Sequence, residues 1–591
     1  TRLSTLAEHG RLVVMFGGLP IRNAQVSGGG VGKHRLRGVL EDAADAGVRF
    51  VNLSPLRTDA ATSLNAEWLP PRPGSDTALM MALAHTLLSE GLHDRAFLDR
   101  YTIGFDRLAD YLNGADGIVK DAEWAADICG LPADRIRTLA RDMAAGPTLI
   151  TTAVSLQRAD WGEQPLWMTV ALAAMLGQIG LPGAGYGIGY AADSSIGTMD
   201  RAAPWSAFPQ GSNPVADFIP VAMISDMLLN PGGRYDFNGA ERTFPDIRMV
   251  WWAGGNPFHH HQDLGTLAQA FQRPETVIVN EFNWTATARH ADIVLPVAAP
   301  QERTDFGAGT QDNALVPMPK FAEPPGEARI EFEIFRDLEA RLDLADGFSK
   351  GRTAEEWIDR LWDDMRRKIP ELPDFEAFLN GGPMEFDDPD PEHVFLSRFR
   401  QDPEAHRLPT PSGRIELFSE TIAGFGYADC PGHPVWRAPR DWSVRDRYPL
   451  HLVSGQPGTR LHSQLDNGSY SRSRKVKDRE PVLLHPEDAA ARGIADGDIV
   501  EMFNDRGRCL AGAVVTDDVL KGTVFLWTGA WYDPDENGLC RHGNPNVLTH
   551  DLRTSALSQG PAAQSALVEV KVAVDPPPVL AFEPPIFGNL P

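Results

Sequence analysis

Short apolar runs ending in glycine, proline or asparagine alternate with stretches of helical spacing through the first sixty residues. "RLVVMFGGLP" (11–20) predicts a buried strand closed by Gly-Gly and Pro, and "RLRGVLEDAADAG" (35–47) predicts a helix that stops at Gly47. "VRFVNLSP" (48–55) then predicts a second buried strand, completing a βαβ unit. Parallel α/β sheets bind ligands at the carboxyl ends of their strands. Here those ends carry Pro20-Ile21-Arg22-Asn23 and Leu53-Ser54-Pro55. Helical stretches are expected at 77–92 and 130–145, followed by another strand in "PTLITTAVSLQR" (147–158).

The pattern returns further on. "IRMVWWAGGNP" (247–257) predicts a strand and turn, "DLGTLAQAFQ" a helix, and "ETVIVNEFNW" a strand ending in Asn280 and Glu281; "ADIVLPV" (291–297) is a further apolar strand. Two α/β nucleotide-type folds are therefore expected. Residues 345–445 are rich in Pro, Asp and Arg with few strong periodic runs and read as connecting structure. From about 446 strand patterns dominate ("PLHLVSG", "DIVEMFNDRG", "CLAGAVVTDD", "GTVFLWTG"), separated by Gly and Asp turns, which suggests a separate β-barrel-like domain. The Pro-rich "VDPPPVLAFEPP" (574–585) reads as an extended surface arm.

With 591 residues, the chain exceeds one hydrophobic core. No run of about 18 apolar residues is present, so no membrane-spanning helix is expected. The net charge of −25 argues against broad binding to nucleic acid or anionic membranes, so an anionic ligand needs local arginines and backbone amides. The four cysteines are scattered and form no Cys-x-x-Cys pair, so neither zinc nor an iron–sulfur cluster is expected within this chain. The chain starts at Thr1 and runs almost at once into a strand, which reads as a piece of a longer polypeptide.

"WWAGGNPFHHHQD" (251–263) places three adjacent histidines after a Gly-Gly-Asn-Pro turn. Adjacent side chains cannot all face one point on a regular element, which speaks against a zinc site. The turn reads either as backbone kept open for a bulky ligand or as a tight structural turn. "GGGVGKH" (28–34) lacks the spacing of a phosphate loop and reads as a flexible loop. Arg158 closes a buried strand, where a phosphate partner is plausible. "SGQPGTRLHSQLDNGSY" (454–470) and "HGNPNVLT" (542–549) are dense in hydrogen-bonding side chains, as a heteroaromatic ligand with many donors and acceptors requires.

Together, "WWAGGNPFHHHQD", "NEFNWTATARHADIVLPVAAPQERTDF", "LHSQLDNGSYSR", "HPEDAAARGIADGDIVEMFNDRG" and "GNPNVLTHDLRTSALSQG" resemble the dimethyl-sulfoxide reductase family of molybdopterin oxidoreductases, from about residue 10 to about 570. The resemblance implies two Rossmann-like nucleotide-binding domains (1–210 and 211–345), a connecting region (346–445), a C-terminal double-psi β-barrel (446–575) and a tail (576–591). It also implies a bis(molybdopterin guanine dinucleotide) molybdenum cofactor. One nucleotide arm is then lined by Arg22, Asn23, Leu53, Ser54, Gly74, Ser75, Asp76, Val154, Ser155 and Arg158. The other is lined by Asn256, His260, Asn280, Glu281, Arg303 and Glu331, and the pterins by Gly455, Gln456, Pro457, Arg460, His462, Asn546 and Gln564. Asp76 or Glu281 accepts from the N1 and N2 donors of guanine, and His260 serves as a hydrogen-bonding side chain rather than a metal ligand.

The implied activity is reduction of an S- or N-oxide, of the biotin sulfoxide, methionine sulfoxide, dimethyl sulfoxide or trimethylamine N-oxide type, with an external electron donor. The family's molybdenum-ligating serine has no match here and is expected in an upstream segment or partner chain. Gln456 stands where several relatives carry His, which favours the branch that reduces biotin sulfoxide and a cytoplasmic location, with the periplasm as alternative. The competing readings are a non-catalytic cofactor-binding subunit or carrier, and a molybdenum dehydrogenase or hydratase of the same superfamily.

Overall fold

The computed structural model describes the whole chain except residues 29–30, 199–202, 310, 345, 389 and 586–591. Part of the Gly-rich run at 28–34 and the end of the tail lie outside the described residues.

The first sheet is parallel throughout. Strands β1 (Leu12–Phe16), β2 (Arg49–Leu53), β3 (Glu67–Trp68), β4 (Thr148–Thr152) and β5 (Gly185–Ile188) lie in the order β3-β2-β1-β4-β5. A central parallel strand must be apolar on both faces, and β1 shows how the sequence achieves it. Leu12, Val14 and Phe16 enter one core; Val13 and Met15 enter the opposite one. The first core is roofed by α2 (Asp76–Ser89), α3 (Ala122–Cys129), α4 (Ala133–Ala144) and α5 (Glu163–Met175); the second by α1 (Leu36–Asp45). The expected helix at 130–145 is thus accompanied by a separate one, α3, which Gly130 terminates in a left-handed cap.

The second parallel sheet consists of β6 (Met249–Ala253), β7 (Thr276–Glu281) and β8 (Ile293–Pro296), in the order β8-β7-β6, with α6 (Leu264–Ala270) packed against it. The stretch read as connecting structure contains α7 (Ala354–Lys368), a helix of 15 residues started by a Thr353/Glu356 capping box. Its Trp362 and Met365 close a small core over Leu315 and Phe378.

Six C-terminal strands close on themselves: β9 (Leu450–Gly455), β10 (Pro481–Leu484), β11 (Ile499–Phe503), β12 (Arg508–Val515), β13 (Thr523–Trp527) and β14 (Leu567–Val572). The ring runs β10-β13-β9-β14-β11-β12 and back to β10, with parallel β9–β13 and β10–β12 pairs among antiparallel ones. Closure leaves no exposed edge among these strands. The sequence reading made the barrel separate; instead Leu450, Val482 and Val568 share one continuous core with Phe258, Leu267 and Val277 around the second sheet.

The expected extended surface arm lies docked against the body of the chain. Leu580 N donates to Asp533 Oδ2 at 2.9 Å, Arg289 Nη2 donates to Ala581 O at 3.0 Å, and the Phe582 ring packs edge-on against Trp531 and His542. Proline stiffness here fits a docked strap. Among the described residues no helix is long and apolar enough to cross a membrane.

Candidate functional site

The carboxyl ends of both parallel sheets and the top of the barrel open into one cavity of about 1540 Å³. Three walls are each built by a turn that follows a strand. After β1 the chain turns through Pro20 into a short helix carrying Arg22 and Asn23; after β2 comes Ser54; after β4 comes the turn carrying Val154, Ser155 and Arg158. After β6, Gly254 and Gly255 adopt left-handed backbone (φ +75° and +87°), and a Cβ on Gly254 meets nothing within 4 Å. Open space therefore lies beside Gly254, whereas a Cβ on Gly255 would meet Trp252 Nε1 at 3.3 Å; a ligand approaching the backbone needs such room. β7 delivers Asn280 and Glu281, and β9 delivers Ser454, Gly455 and Gln456.

Several side chains lock these walls together. Arg22 ion-pairs with Asp59, which also accepts from Ser54 Oγ at 2.5 Å, and Arg22 Nε donates to Gln456 O at 3.1 Å. Asn256 Nδ2 donates to Ser463 Oγ at 3.2 Å while its carbonyl accepts from Thr287, tying the second sheet to the barrel loop. Asn280 accepts from Trp251 Nε1 at 3.0 Å and donates to Glu331 at 3.1 Å. Gln564 clamps the backbone of Ser454 from both sides, accepting from its N–H at 3.0 Å and donating to its carbonyl at 2.7 Å. Asn546 donates to His259 O at 2.6 Å. Arg303 pairs with Asp305.

The electrostatics are uneven. Arg158 makes no ion pair or side-chain hydrogen bond among the described residues, and protein surrounds it, so burial pulls its pKa down. Its guanidinium nonetheless faces the cavity and stays accessible there. His260 is pushed down to about 4, first by burial and then by His261, His462 and Arg158; His462 is also lowered by burial. Both rings are therefore neutral at pH 7 and act as hydrogen-bonding groups. Burial raises Asp76 to about 7 and also raises Glu281. The three adjacent histidines diverge. His259 faces His462, His260 lines the cavity, and His261 Nε2 sits 3.0 Å from Ser225 Oγ and 3.5 Å from Asp551.

Nineteen of the twenty-three residues singled out from sequence line this cavity. Leu53 does not, because it ends β2 pointing into the first core. Ser75 turns its hydroxyl onto Arg72 O at 2.5 Å, and Pro457 is buried behind Gln456. Arg460 lies with Asp466, Lys475 and Glu480 in an ion cluster whose side chains are 1%, 0%, 2% and 3% exposed. It braces the loop behind the wall rather than facing a ligand. Cavity residues not anticipated include Asp59, Trp161, Gln164 and Trp531. None stands in a recognisable local pattern, although Asp59 follows directly on the β2 end.

Among the described residues, five buried polar atoms on the cavity wall have no hydrogen-bond partner: Asn23 Oδ1, Ser206 Oγ, His259 Nδ1, Gln262 Oε1 and Ser454 Oγ. Orphaned buried groups are costly unless a ligand or water satisfies them. Together with Arg158, they suit a large ligand carrying phosphates and several ring donors and acceptors.

Comparison with known proteins follows the same line. The family model described as molybdopterin oxidoreductase matches residues 4–341, and that described as molydopterin dinucleotide binding domain matches residues 450–567. The chain is 46% identical over 581 residues to biotin sulfoxide reductase of Cereibacter sphaeroides, covering 96% of this chain and 77% of that protein. It is 42% identical over 610 residues to the dimethyl sulfoxide/trimethylamine N-oxide reductase of the same organism (99% and 74% covered). Trimethylamine-N-oxide reductase of Haemophilus influenzae is 42% identical over 575 residues (91% and 69% covered). The solved structure of acetylene hydratase from Pelobacter acetylenicus superposes with a TM-score of 0.65 at 18% identity, over 97% of this chain and 80% of that one, which is a likeness of fold.

Proposed function

The chain belongs to the molybdopterin oxidoreductase family, and on that premise we propose that it is a molybdenum-dependent reductase of S- and N-oxides that holds two guanine dinucleotide arms. It is an oxidoreductase with a molybdopterin dinucleotide cofactor. The observation that carries the reading is the single cavity walled by the strand ends of two parallel sheets and by the barrel. In this reading a Rossmann-like unit (1–210) holds one arm and a second (211–345) holds the other. A double-psi barrel (446–575) covers both pterins, 346–445 connects, and 576–591 forms the tail.

When bound, the cofactor supplies two-electron chemistry at a metal that exchanges an oxygen atom with the substrate. The chain's own residues bind and orient it. Arg158 meets a phosphate; the Gly254–Gly255 amides and neutral His260 and His462 add hydrogen bonds without adding charge. Asp76 on one side, and Glu281 with Glu331 on the other, accept from guanine N–H donors. Arg22, Asn23, Ser54, Gly74, Val154 and Ser155 complete the first arm's wall, and Asn256, Asn280 and Arg303 the second's. Gly455, Gln456, Asn546 and Gln564 form the pterin side, with Ser454 held in place by Gln564. Biotin sulfoxide, dimethyl sulfoxide and trimethylamine N-oxide are the first substrates to try, with reduced viologen as electron donor.

The test is to purify the cofactor-loaded protein and measure molybdenum, guanine and oxide-dependent oxidation of reduced viologen. Two guanines per molybdenum are expected, with turnover only when the segment or partner chain that supplies the molybdenum ligand is present. One guanine per molybdenum would replace the two-arm reading, and no guanine at all would end it.

A further inference from the structure

The turn from Arg158 to Gly162 carries a tryptophan that belongs to none of the apolar cores among the described residues. Trp161 holds its backbone in the left-handed region, φ +59°. A bulky residue persists there only where its surroundings over-determine it, and such positions gather at ligand clamps. The surroundings here do so. Trp161 N donates to Thr554 O and its Nε1 to Ala438 O, each at 3.1 Å. The Arg440 guanidinium lies 4.4 Å from the ring, itself fixed by the buried Asp160 carboxylate at 2.8 Å. The Arg437 guanidinium, itself on the cavity wall, lies further from the ring centroid at 5.7 Å; the indole is thus held through its N–H and by arginines, and Trp161 lines the cavity.

What it faces follows from the segment 435–440. Val435 N donates to Gln164 Oε1 at 2.8 Å, Trp436 Nε1 donates to Gly74 O at 3.2 Å, and Ala438 holds Trp161. One short segment therefore joins the Gly74–Asp76 turn to Trp161 in a single corner of the cavity, with the Asp76 carboxyl also on the wall. A flat π face and a buried carboxyl in one corner suit a ring with a ring N–H flanked by an exocyclic amine. The carboxylate takes the two donors and the indole takes the face. Guanine and pterin both present that edge; adenine does not.

We infer that Trp161 is the stacking platform for an amino-oxo heteroaromatic ring of the cofactor, whose N–H edge is read by Asp76. The inference rests on the proposed function.

The test titrates the full chain, freed of cofactor, with GDP, pterin-6-carboxylate and ADP by calorimetry and by tryptophan fluorescence. Wild type is expected to bind GDP or the pterin, whichever ring occupies the corner, and not ADP. Trp161→Leu should weaken that binding about tenfold or more, whereas Trp161→Phe, which keeps an aromatic face, should stay within about threefold. Asp76→Asn should weaken it through the edge while leaving the fluorescence quench of the bound form. Trp161→Phe should bind yet lose most of the quench, the remainder coming from Trp436 in the same corner, a readout that stands even if the leucine variant does not fold. Unchanged binding by Trp161→Leu, an equal fall in both Trp161 variants, or a quench undiminished in Trp161→Phe would each overturn stacking while leaving the nucleotide arms in place. A wild type that binds neither ring would instead overturn the arm reading, and the platform with it.

Discussion

Replacing Asp466 with Asn removes one charge from the ion cluster behind the cavity wall and almost no volume. Its carboxylate forms an ion pair with Lys475 Nζ at 2.8 Å and stands 3.3 Å from Arg460 Nε. At an effective dielectric constant of about 20, those attractions amount to roughly 6 and 5 kcal/mol. Much of that is offset, because repulsion from Glu480 disappears and the carboxylate no longer has to be desolvated, at several kcal/mol per buried ion. The net loss expected is about 3–5 kcal/mol, the usual cost of breaking a buried pair from one side. In a thermal melt at pH 7 this should lower the joint transition of the barrel and the second sheet, which share one core, by roughly 10 °C. The double variant Asp466→Asn/Lys475→Met restores neutrality and should recover at least half of it. The pH dependence supplies a second check. Burial pushes Asp466 up, but His542, Lys475 and Arg460 together hold it below the ordinary carboxylate range. A depressed carboxylate contributes stability that is present above its unfolded pKa of about 4 and is lost as pH falls through the folded value. The gap between wild type and variant should therefore close in acid. A single variant melting within about 2 °C of wild type at pH 7, or a double variant less stable than the single, would refute the reasoning.

Four further outcomes are expected. Asp76 is raised to about 7 by burial, so the cofactor-free chain loses up to about 4 kcal/mol as pH rises from 4 to 8. Asp76→Asn should then melt above wild type at pH 8, by a margin that shrinks toward pH 4. Arg158→Ala should cut molybdenum and guanine content, at about 1.5–3 kcal/mol of lost binding. It should leave the melting of the cofactor-free chain unchanged, since among the described residues Arg158 has no hydrogen-bond or ion-pair partner to lose. Asn256→Leu leaves Ser463 and Thr287 without their bonds and should cost about 1–3 kcal/mol in a melt, with guanine lost more readily on dilution. Phe582→Ala unpacks the half-buried contact against Trp531 and should cost about 1–2 kcal/mol, with a red shift in tryptophan emission.

The strand ends were legible because their chemistry is local: an apolar run, a glycine or proline stop, then polar residues, as in 249–256 and 148–158. The helix at 354–368 was equally legible in Trp357, Leu361, Trp362 and Met365 behind a Thr353-x-x-Glu356 box, yet its Pro-, Asp- and Arg-rich surroundings drew the reading toward connecting structure. Arg460 was assigned to the ligand because its partners, Asp466, Lys475 and Glu480, meet it only once the barrel closes. Trp161 escaped notice because a left-handed turn has no periodicity, and its anchors come from residues 438, 440 and 554.

The clamp of Gln564 on Ser454 has a consequence for how the protein is made. Arg22 reaches Gln456, 434 residues later in the chain, and the Ser454 backbone two residues before Gln456 is not clamped until Gln564 arrives. The last wall residue therefore leaves the ribosome roughly half a minute to two minutes after the first, at about 5–20 residues per second. Throughout that interval a nascent chain presents half-built walls with unpaired arginine and amide groups. The cofactor can therefore enter a complete cavity only after Gln564 has folded back onto Ser454.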